Sequence, residues 1–142
     1  MAQTLNPTDL DQIVDEHFGA ELRGDVEAVV STFTEGVEHD VVGNPAVSHG
    51  RAEAAAFYQG LFADLDLERF ETVRRYRGTN FIVDESLVHA RAIGAPLGIP
   101  GNNRPLTFRL LHIFELQDGC ISRENAWLDT AAIFSQLSAA SA

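Results

Sequence analysis

LTFRLLHIFELQDGCISRENAWL, residues 106–128, predicts a β-hairpin and with it the fold class of the chain. Apolar and polar side chains alternate before Asp118-Gly119, and β-forming residues return after it. An Asp-Gly pair between two such segments is the strongest short-range signal for a two-residue hairpin turn. The alternation directs one face of the first strand toward a core, and His112 lies on that apolar face.

A two-residue turn also predicts which residues face one another. Gln117 then pairs with Cys120, and His112 lies directly opposite Asn125. The other members of this face are Phe108, Leu110, Trp127 and Asp129. An imidazole beside an amide in an apolar wall indicates a ligand site. A single bulge would change this register, and a bulge or a bridging water would be needed to bring Asp129 to His112.

Working outward from the hairpin, the pattern predicts further strands and a closing helix. Strands are expected over residues 37–42, 70–77 and 81–93, and a short helix over residues 130–137. Residues 94–105 hold three glycines and three prolines, which is typical of a loop.

Three helices are predicted in the first half of the chain. Thr8 and Asp11 form a capping signal for the first helix, whose apolar face also carries His17. Asp25 caps the second helix, and the third follows helical spacing from Ala54 to Leu65. Helices followed by an antiparallel meander predict an α+β fold with the helices packed on one face of a curved sheet.

Composition limits the function classes. The chain has 142 residues with 45% hydrophobic side chains, enough for one domain over residues 1–142. A net charge of −11 argues against binding to nucleic acid or to an anionic membrane. The sequence contains no lysine, which excludes Schiff-base chemistry. One cysteine, no apolar run of membrane-spanning length and no signal-peptide pattern at the N-terminus predict a cytoplasmic protein.

Each candidate side chain has a structural interpretation beside the functional one. A single histidine on an apolar face, such as His112, is more often a satisfied core residue than a catalyst, and Asn125 could be its structural partner. Asp129 precedes a helix and could simply cap it, and Trp127 could belong to the core. A metal site built from His39, His49 and His112 lacks the usual ligand spacings, so no metal is predicted.

Several segments together resemble the SnoaL-like polyketide cyclase branch of the NTF2-like superfamily. The likeness spans nearly the whole chain and keeps the order of the elements. Its segments are Val37-Glu38-His39-Asp40, Gly50-Arg51, Phe57-Tyr58, residues 61–65, residues 94–98, residues 114–124, Trp127-Leu128-Asp129 and residues 134–137.

The resemblance implies a cone-shaped α+β barrel, usually dimeric, with a deep apolar pocket lined by the sheet. It implies three N-terminal helices on a curved, mainly antiparallel sheet and a short C-terminal helix. We assign the pocket wall to Trp127, Leu110, Phe108, Phe57, Tyr58 and Phe62.

In the cyclases of this superfamily, a pocket carboxylate and a histidine on the last two strands perform acid/base work. His112 matches the histidine position, but the predicted register places Asn125 opposite it. Either Asp129 reaches into the pocket, or a His–Asn pair acts as in the dehydratases of the superfamily. The candidate catalytic set is therefore His112, Asp129, Asn125 and His39.

These expectations combine into two function hypotheses, beside a third in which the chain is a structural dimer with a vestigial pocket. The first is a cofactor-free cyclase, dehydratase or isomerase that removes a proton beside the carbonyl group of a small hydrophobic molecule. The second is a non-catalytic, dimeric binding module for a similar ligand. Neither requires a metal or an organic cofactor.

Overall fold

Six strands form one curved, open sheet, and the helices pack against its inner face. The computed structural model describes residues 7–139, with side chains from residue 9 onward. In chain order the elements are α1 (Pro7–Leu22), α2 (Val26–Ser31), β1 (Phe33–Val41), β2 (Ser48–His49), α3 (Gly50–Asp64), β3 (Leu65–Arg77), β4 (Phe81–Ala92), a 3₁₀ turn (Pro96–Gly98), β5 (Arg104–Gln117), β6 (Cys120–Leu128) and α4 (Thr130–Ser138).

The sheet is mainly antiparallel. Its strand order is β2-β1-β6-β5-β4-β3, and β1 runs parallel to β6 while the other neighbours are antiparallel. This arrangement confirms the predicted α+β fold class, with three helices before the meander and one after it. The long meander β3-β4-β5-β6 gives the sheet its curvature, and β1 closes it alongside β6.

Several boundaries differ from the prediction. The first strand begins at Phe33 rather than at residue 37, and β3 begins at Leu65 rather than at residue 70. Leu65 and Leu67 are buried on the inner face of the sheet. Leu65 also continues the helical spacing of the preceding residues, so the apolar pattern alone does not show where the helix ends and the strand begins. Asp25 caps α2 as predicted, with its carboxylate accepting from the Ala28 N–H. The capping side chain proposed at Thr8 lies outside the described side chains.

The β5–β6 turn has the geometry that Asp-Gly predicts. Asp118 and Gly119 both adopt left-handed backbone angles, with φ of 50° and 79°, and Gln117 pairs with Cys120. Two positive φ values in a two-residue loop match the right-handed twist of the flanking strands. The predicted turn and its first pair are confirmed.

A bulge at Ser122 changes the register beyond the turn. Leu116 pairs with Ile121, but the next pair joins Glu115 to Arg123 and leaves Ser122 without an opposite residue. His112 consequently lies opposite Ala126, and the predicted pairing of His112 with Asn125 is wrong. Because side chains alternate between the faces of a strand, a one-residue offset exchanges the two faces of β6.

The core consists of two apolar clusters. One joins α1, α2 and α3 to β1 and the hairpin, and the other joins α4 to the start of β3, the second half of β4 and the first half of β5. Leu61, Phe62 and Phe70 pack against both clusters. A set of buried polar side chains also lies within this interior, including His17, His39, His112 and Glu124. No helix within residues 7–139 is long and apolar enough to cross a membrane.

Candidate active site

Glu124 is the centre of a buried polar cluster on the inner face of the sheet. The bulge at Ser122 turns Glu124 inward, where it lies beside Phe114 of β5 and is 0% exposed. Burying a carboxylate without partners costs several kcal/mol, so its surroundings must supply hydrogen-bond donors.

Four polar groups surround the Glu124 carboxylate. Nε2 of His17 and of His112 lie 3.1 and 3.3 Å from Oε1. Nε2 of His39 lies 2.6 Å from Oε2, and the Tyr58 hydroxyl donates to the same oxygen at 2.8 Å. Helices α1 and α3 and strands β1 and β5 each contribute one of these groups, so the folded topology assembles the cluster from distant parts of the chain.

The histidines stabilise the anionic form of Glu124. Burial raises the pKa of this carboxyl group, but the nearby charges and hydrogen bonds of His39 and His17 outweigh burial and hold the pKa well below its usual range. The pKa of the Tyr58 hydroxyl is raised well above its ordinary value, first by burial and then by the charge of Glu124. Tyr58 therefore remains a hydrogen-bond donor to an ionised carboxylate at neutral pH.

His17 carries a hydrogen on both ring nitrogens. Its Nδ1 lies 3.0 Å from the Thr32 hydroxyl oxygen, and that hydroxyl donates its own hydrogen to the Val29 carbonyl at 2.6 Å. The Thr32 oxygen therefore accepts from Nδ1–H, while Nε2–H faces Glu124. Burial alone would lower the pKa of His17, but Glu124 and then Glu21 raise it above the ordinary value. His17 is thus the cation that balances the Glu124 charge.

His112 is held differently, as a neutral ring. Burial is the largest influence and lowers the pKa of His112 to about 4, against the opposing field of Glu124. A lone pair 3.3 Å from an anionic oxygen would be repelled, so the single ring hydrogen lies on Nε2. Its Nδ1 then carries a lone pair, and this buried atom has no hydrogen-bond partner among the side chains that the structure describes. A carboxylate that fixes the tautomer and a free imidazole nitrogen form a dyad suited to general base catalysis.

Aromatic rings enclose the cluster. The His112 ring stacks on Phe114 with centroids 4.7 Å apart, and Phe18 lies 5.4 Å from it. The Phe57 ring lies 4.6 Å from that of His39. These rings exclude water from the imidazoles and strengthen the electrostatic interactions among them.

The structure brings together two of the four predicted catalytic residues. His112 and His39 are 3% exposed and share the Glu124 carboxylate. Asn125 instead lies on the other side of β6, where it accepts from Arg123 at 2.7 Å and lies 3.4 Å from Asp40. The bulge is the reason, since it reverses the facing of this residue.

Asp129 and Trp127 also lie away from the cluster. Asp129 caps α4, and its Oδ1 accepts from the Ala132 N–H at 3.1 Å. It therefore has the helix-capping role that was the alternative to a catalytic one. The bulge also places Trp127 on the outer face of the sheet, as it does Asn125. There Trp127 pairs with Leu111 and is 37% exposed.

The other residues assigned to the pocket wall lie in the interior. Phe108 and Leu110 are buried in the core between the sheet and α4. Tyr58 belongs to the polar cluster itself, and Phe62 lies 5.8 Å from the Tyr58 ring. Phe57 and Phe62 each line a cavity and lie beside a ring of the cluster, and Trp127 lines the same cavity as Phe57.

Two cavities adjoin this interior. The larger has a volume of about 820 Å³ and opens between β1, α3, the 94–105 loop and α4. Most of its lining is apolar and includes Phe57, Leu61 and Leu97. The smaller, about 160 Å³, lies between the C-terminal ends of α1 and α3 and the start of β3, and it is lined by Glu21 and Phe62. Glu21 lines the smaller cavity and Phe57 the larger one, and neither cavity is lined by His112.

Three members of the cluster were missed as functional residues from the sequence alone: Glu124, His17 and Glu21. His17 was visible as a polar residue on the apolar face of α1. Glu124 gave no signal, because a regular hairpin places it on the outer face. Within residues 7–139 no group of side chains has the arrangement of a metal site. His49, considered above as a metal ligand, is exposed.

Comparison with known proteins places the chain in a family. Residues 14–124 match the model of the SnoaL-like domain, which confirms the predicted family. No curated protein matches the sequence significantly.

Solved structures share the fold across nearly the whole chain. A candidate SnoaL-like polyketide cyclase from Jannaschia sp. CCS1 is 21% identical, with a TM-score of 0.84 over 98% of this chain and 99% of that one. An LEH-like epoxide hydrolase from M. tuberculosis is 15% identical, with a TM-score of 0.72 over 92% and 90%. A Catenulispora acidiphila protein with a ketosteroid isomerase-like fold, in complex with trimethylamine, is 14% identical, with a TM-score of 0.75 over 89% and 92%. These likenesses confirm the NTF2-like fold.

Proposed function

Because the chain belongs to the SnoaL-like domain family, we propose that it is a cofactor-free acid/base enzyme acting on a small hydrophobic carbonyl compound. The observation that carries the proposal is the Glu124–His112 dyad, in which a buried carboxylate orients an imidazole whose Nδ1 has no partner within the described part of the chain. Structures of this fold include proteins named for several different reactions, so the reaction is argued from the site and not from the fold.

The reaction step that suits this dyad is proton removal from the carbon next to a carbonyl group. The C–H bond breaks, Nδ1 of His112 takes the proton, and the electron pair passes into an enolate. Glu124 stabilises the imidazolium that forms, since its oxygen faces the opposite ring nitrogen. The low pKa of His112 is raised as soon as an enolate forms beside it, because opposite charges in a dry site attract strongly.

The fate of the enolate separates an isomerase, a dehydratase and a cyclase. Return of the proton to another carbon gives isomerisation, loss of hydroxide gives dehydration, and attack on a second carbonyl gives ring closure. All three begin with the same proton transfer, so that step is the one to measure first.

The experiment is hydrogen–deuterium exchange at the α-carbon of 2-tetralone in D₂O, followed by NMR. The wild-type protein is expected to accelerate exchange at least tenfold over buffer. His112→Gln removes the base and is expected to abolish the acceleration. Glu124→Gln is expected to reduce it and to shift its pH profile, because Glu124 positions His112 without touching the substrate. Glu115→Gln, a matched change on a side chain that is 56% exposed, should exchange like wild type.

Full exchange activity in His112→Gln would contradict the proposal.

A second function, ligand binding without catalysis, is favoured by one observation: His112 is 3% exposed and enclosed by Phe18 and Phe114. Saturable binding of 2-tetralone with no exchange above buffer in the wild-type protein would support that function instead.

We also propose that the protein is a homodimer formed through the outer face of the sheet. Leu111 and Trp127 are cross-strand neighbours there and are each 37% exposed, next to partly buried Val83 and Ile113. An apolar strip on an otherwise charged surface is typical of a subunit contact. The bulge at Ser122 supports this arrangement, because it places Trp127 on the outer face.

A further inference from the structure

Two buried side-chain atoms lack a hydrogen-bond partner among the described residues, and both belong to the same cluster. They are Nδ1 of His112 and Oε2 of Glu21. Leaving a buried polar atom unpaired costs on the order of 1–3 kcal/mol. Two such atoms beside one carboxylate indicate that a bound molecule completes the site.

Glu21 enters the cluster from the last turn of α1. It is 5% exposed, and its Oε1 lies 3.9 Å from Nε2 of His17, beyond hydrogen-bond distance. The groups that face it are His17, Glu124, His39 and Tyr58. Burial is the largest influence on this carboxyl group and raises its pKa to about 7, against the opposing charge of His17. Near neutral pH, much of Glu21 is therefore a carboxylic acid with an O–H to donate.

The cavity of about 160 Å³ provides space for the acceptor. Its lining combines Glu21 with the apolar side chains of Phe62, Leu65, Leu67 and Ile93, with Arg23 and Asp66 also bordering it. A small ring or short chain fits this volume. Tyr58 is a hydrogen-bond partner of the Glu21 carboxyl group, so the atom left for a ligand is Oε2. The O–H of a carboxylic acid pairs with a neutral acceptor, and a carbonyl oxygen is the acceptor that the proposed reaction requires.

We propose that Glu21 binds the carbonyl oxygen of the substrate from this cavity, an inference that rests on the proposed function. Phe18 lies one turn before Glu21 on α1, and its ring lies 5.4 Å from that of His112. Phe18 therefore lies on the same helix as the proposed acid and contacts the ring of the proposed base. As the enolate forms, negative charge grows on the oxygen that Glu21 contacts, and the Glu21 O–H stabilises it.

The test uses cyclohexanone labelled with ¹³C at its carbonyl carbon as a probe. Its affinity is measured by NMR titration, and the frequency of the bound C=O stretch by difference infrared spectroscopy. In the wild-type protein the stretch should move to lower frequency than in an apolar solvent, since a donated hydrogen bond weakens the C=O bond. Glu21→Leu should lower the affinity at least tenfold and remove this shift.

A conservative variant separates hydrogen bonding from packing. Glu21→Gln keeps a neutral N–H donor and should retain affinity within about threefold, with the infrared shift preserved. Glu16→Gln, on the exposed side of α1, serves as the matched control and should behave as wild type. Thermal unfolding of each variant verifies that it is folded.

Three outcomes would overturn the inference. They are no binding of cyclohexanone by the wild-type protein, equal affinity in wild type and Glu21→Leu, and loss of the infrared shift in Glu21→Gln as complete as in Glu21→Leu. If His112→Gln abolishes tetralone exchange while Glu21→Leu binds cyclohexanone normally, the proposed function stands and the role of Glu21 falls. If binding depends on Glu21 but the wild-type protein exchanges no protons, the catalytic proposal falls instead.

Discussion

Oε1 of Glu124 lies 3.3 Å from Nε2 of His112, although a regular hairpin would put these two residues on opposite faces of the sheet. The extra residue Ser122 creates this contact by turning Glu124 inward. A bulge near a functional site that redirects one side chain is a recurrent device in sheets. The contact supplies the carboxylate that the SnoaL-like resemblance implies for the last strands.

Replacing Glu124 tests whether the carboxylate organises the interior. Glu124→Gln places an amide N–H₂ against groups that already donate, including Tyr58 and His39. Breaking a buried charged network in this way is expected to lower the free energy of unfolding by about 3 kcal/mol. Chemical denaturation at pH 7 measures the change.

The matched control is Glu115→Gln on the outer face of β5. Its side chain is 56% exposed, so the expected change in unfolding free energy stays within about 0.5 kcal/mol. A Glu124→Gln variant as stable as this control would mean that the imidazoles do not depend on the carboxylate.

The pKa of His112 predicts a specific pH dependence of stability. The folded pKa of about 4 lies below the ordinary histidine value of 6.5, so between these values the unfolded chain binds a proton that the folded chain does not. The contribution of His112 to stability is therefore present above pH 6.5 and is lost as the pH falls toward 4. The loss amounts to about 3 kcal/mol relative to His112→Gln, which has no titrating ring.

Two measurements check this prediction. Denaturation curves of wild type and His112→Gln are compared at intervals from pH 7 to pH 4, and NMR follows the His112 ring in the folded protein. A stability difference that does not change with pH, or a His112 ring that titrates near 6.5, would contradict the assignment.

The fold was predictable because its signals are local. Asp118 and Gly119 both adopt left-handed backbone angles, which define a tight turn that the sequence pair predicts. The spacing of apolar residues predicted every long helix and most strands. Leu65 shows where this fails, since the same residue satisfies helical spacing and strand burial, and the tertiary context decides. The two-residue strand β2 forms only through its pairing with β1, which no local pattern records.

The site was predictable only in part, because a bulge is decided by neighbouring strands. His112 was identified from the apolar face of its strand, and His39 from the segment Val37-Glu38-His39-Asp40 of the SnoaL-like resemblance. Ser122 has no composition signal, yet it reverses the facing of Asn125 and Glu124. The carboxylate at the centre of the cluster therefore became visible only with the register of the sheet.

Phe57 separates the cavity of about 820 Å³ from His39, so its removal should connect the two. Phe57→Ala is expected to lower stability by about 2 kcal/mol, less than a fully buried phenylalanine would, because the ring is only partly buried. It should also speed solvent exchange of the His39 ring N–H, measured by NMR.

Phe134→Ala is the control for this change. Phe134 is 58% exposed on α4, so the same substitution should leave both stability and His39 exchange near the wild-type values. Unchanged exchange in Phe57→Ala would show that the ring is not what closes the passage.

Leu111 provides the test of the proposed dimer. The wild-type protein is expected to have twice the 15.5 kDa chain mass in size-exclusion chromatography with light scattering. Leu111→Lys should shift it to the monomer mass, because desolvating an ammonium group at a subunit contact is unfavourable. Glu85 lies opposite Leu111 on β4 and can pair with the new charge, so the monomer should remain folded. Leu22→Lys changes a leucine that is also 37% exposed but lies on α1, and it should leave the mass unchanged. A wild-type protein of monomer mass, or a Leu111→Lys variant that remains dimeric, would exclude the outer face of the sheet as the contact.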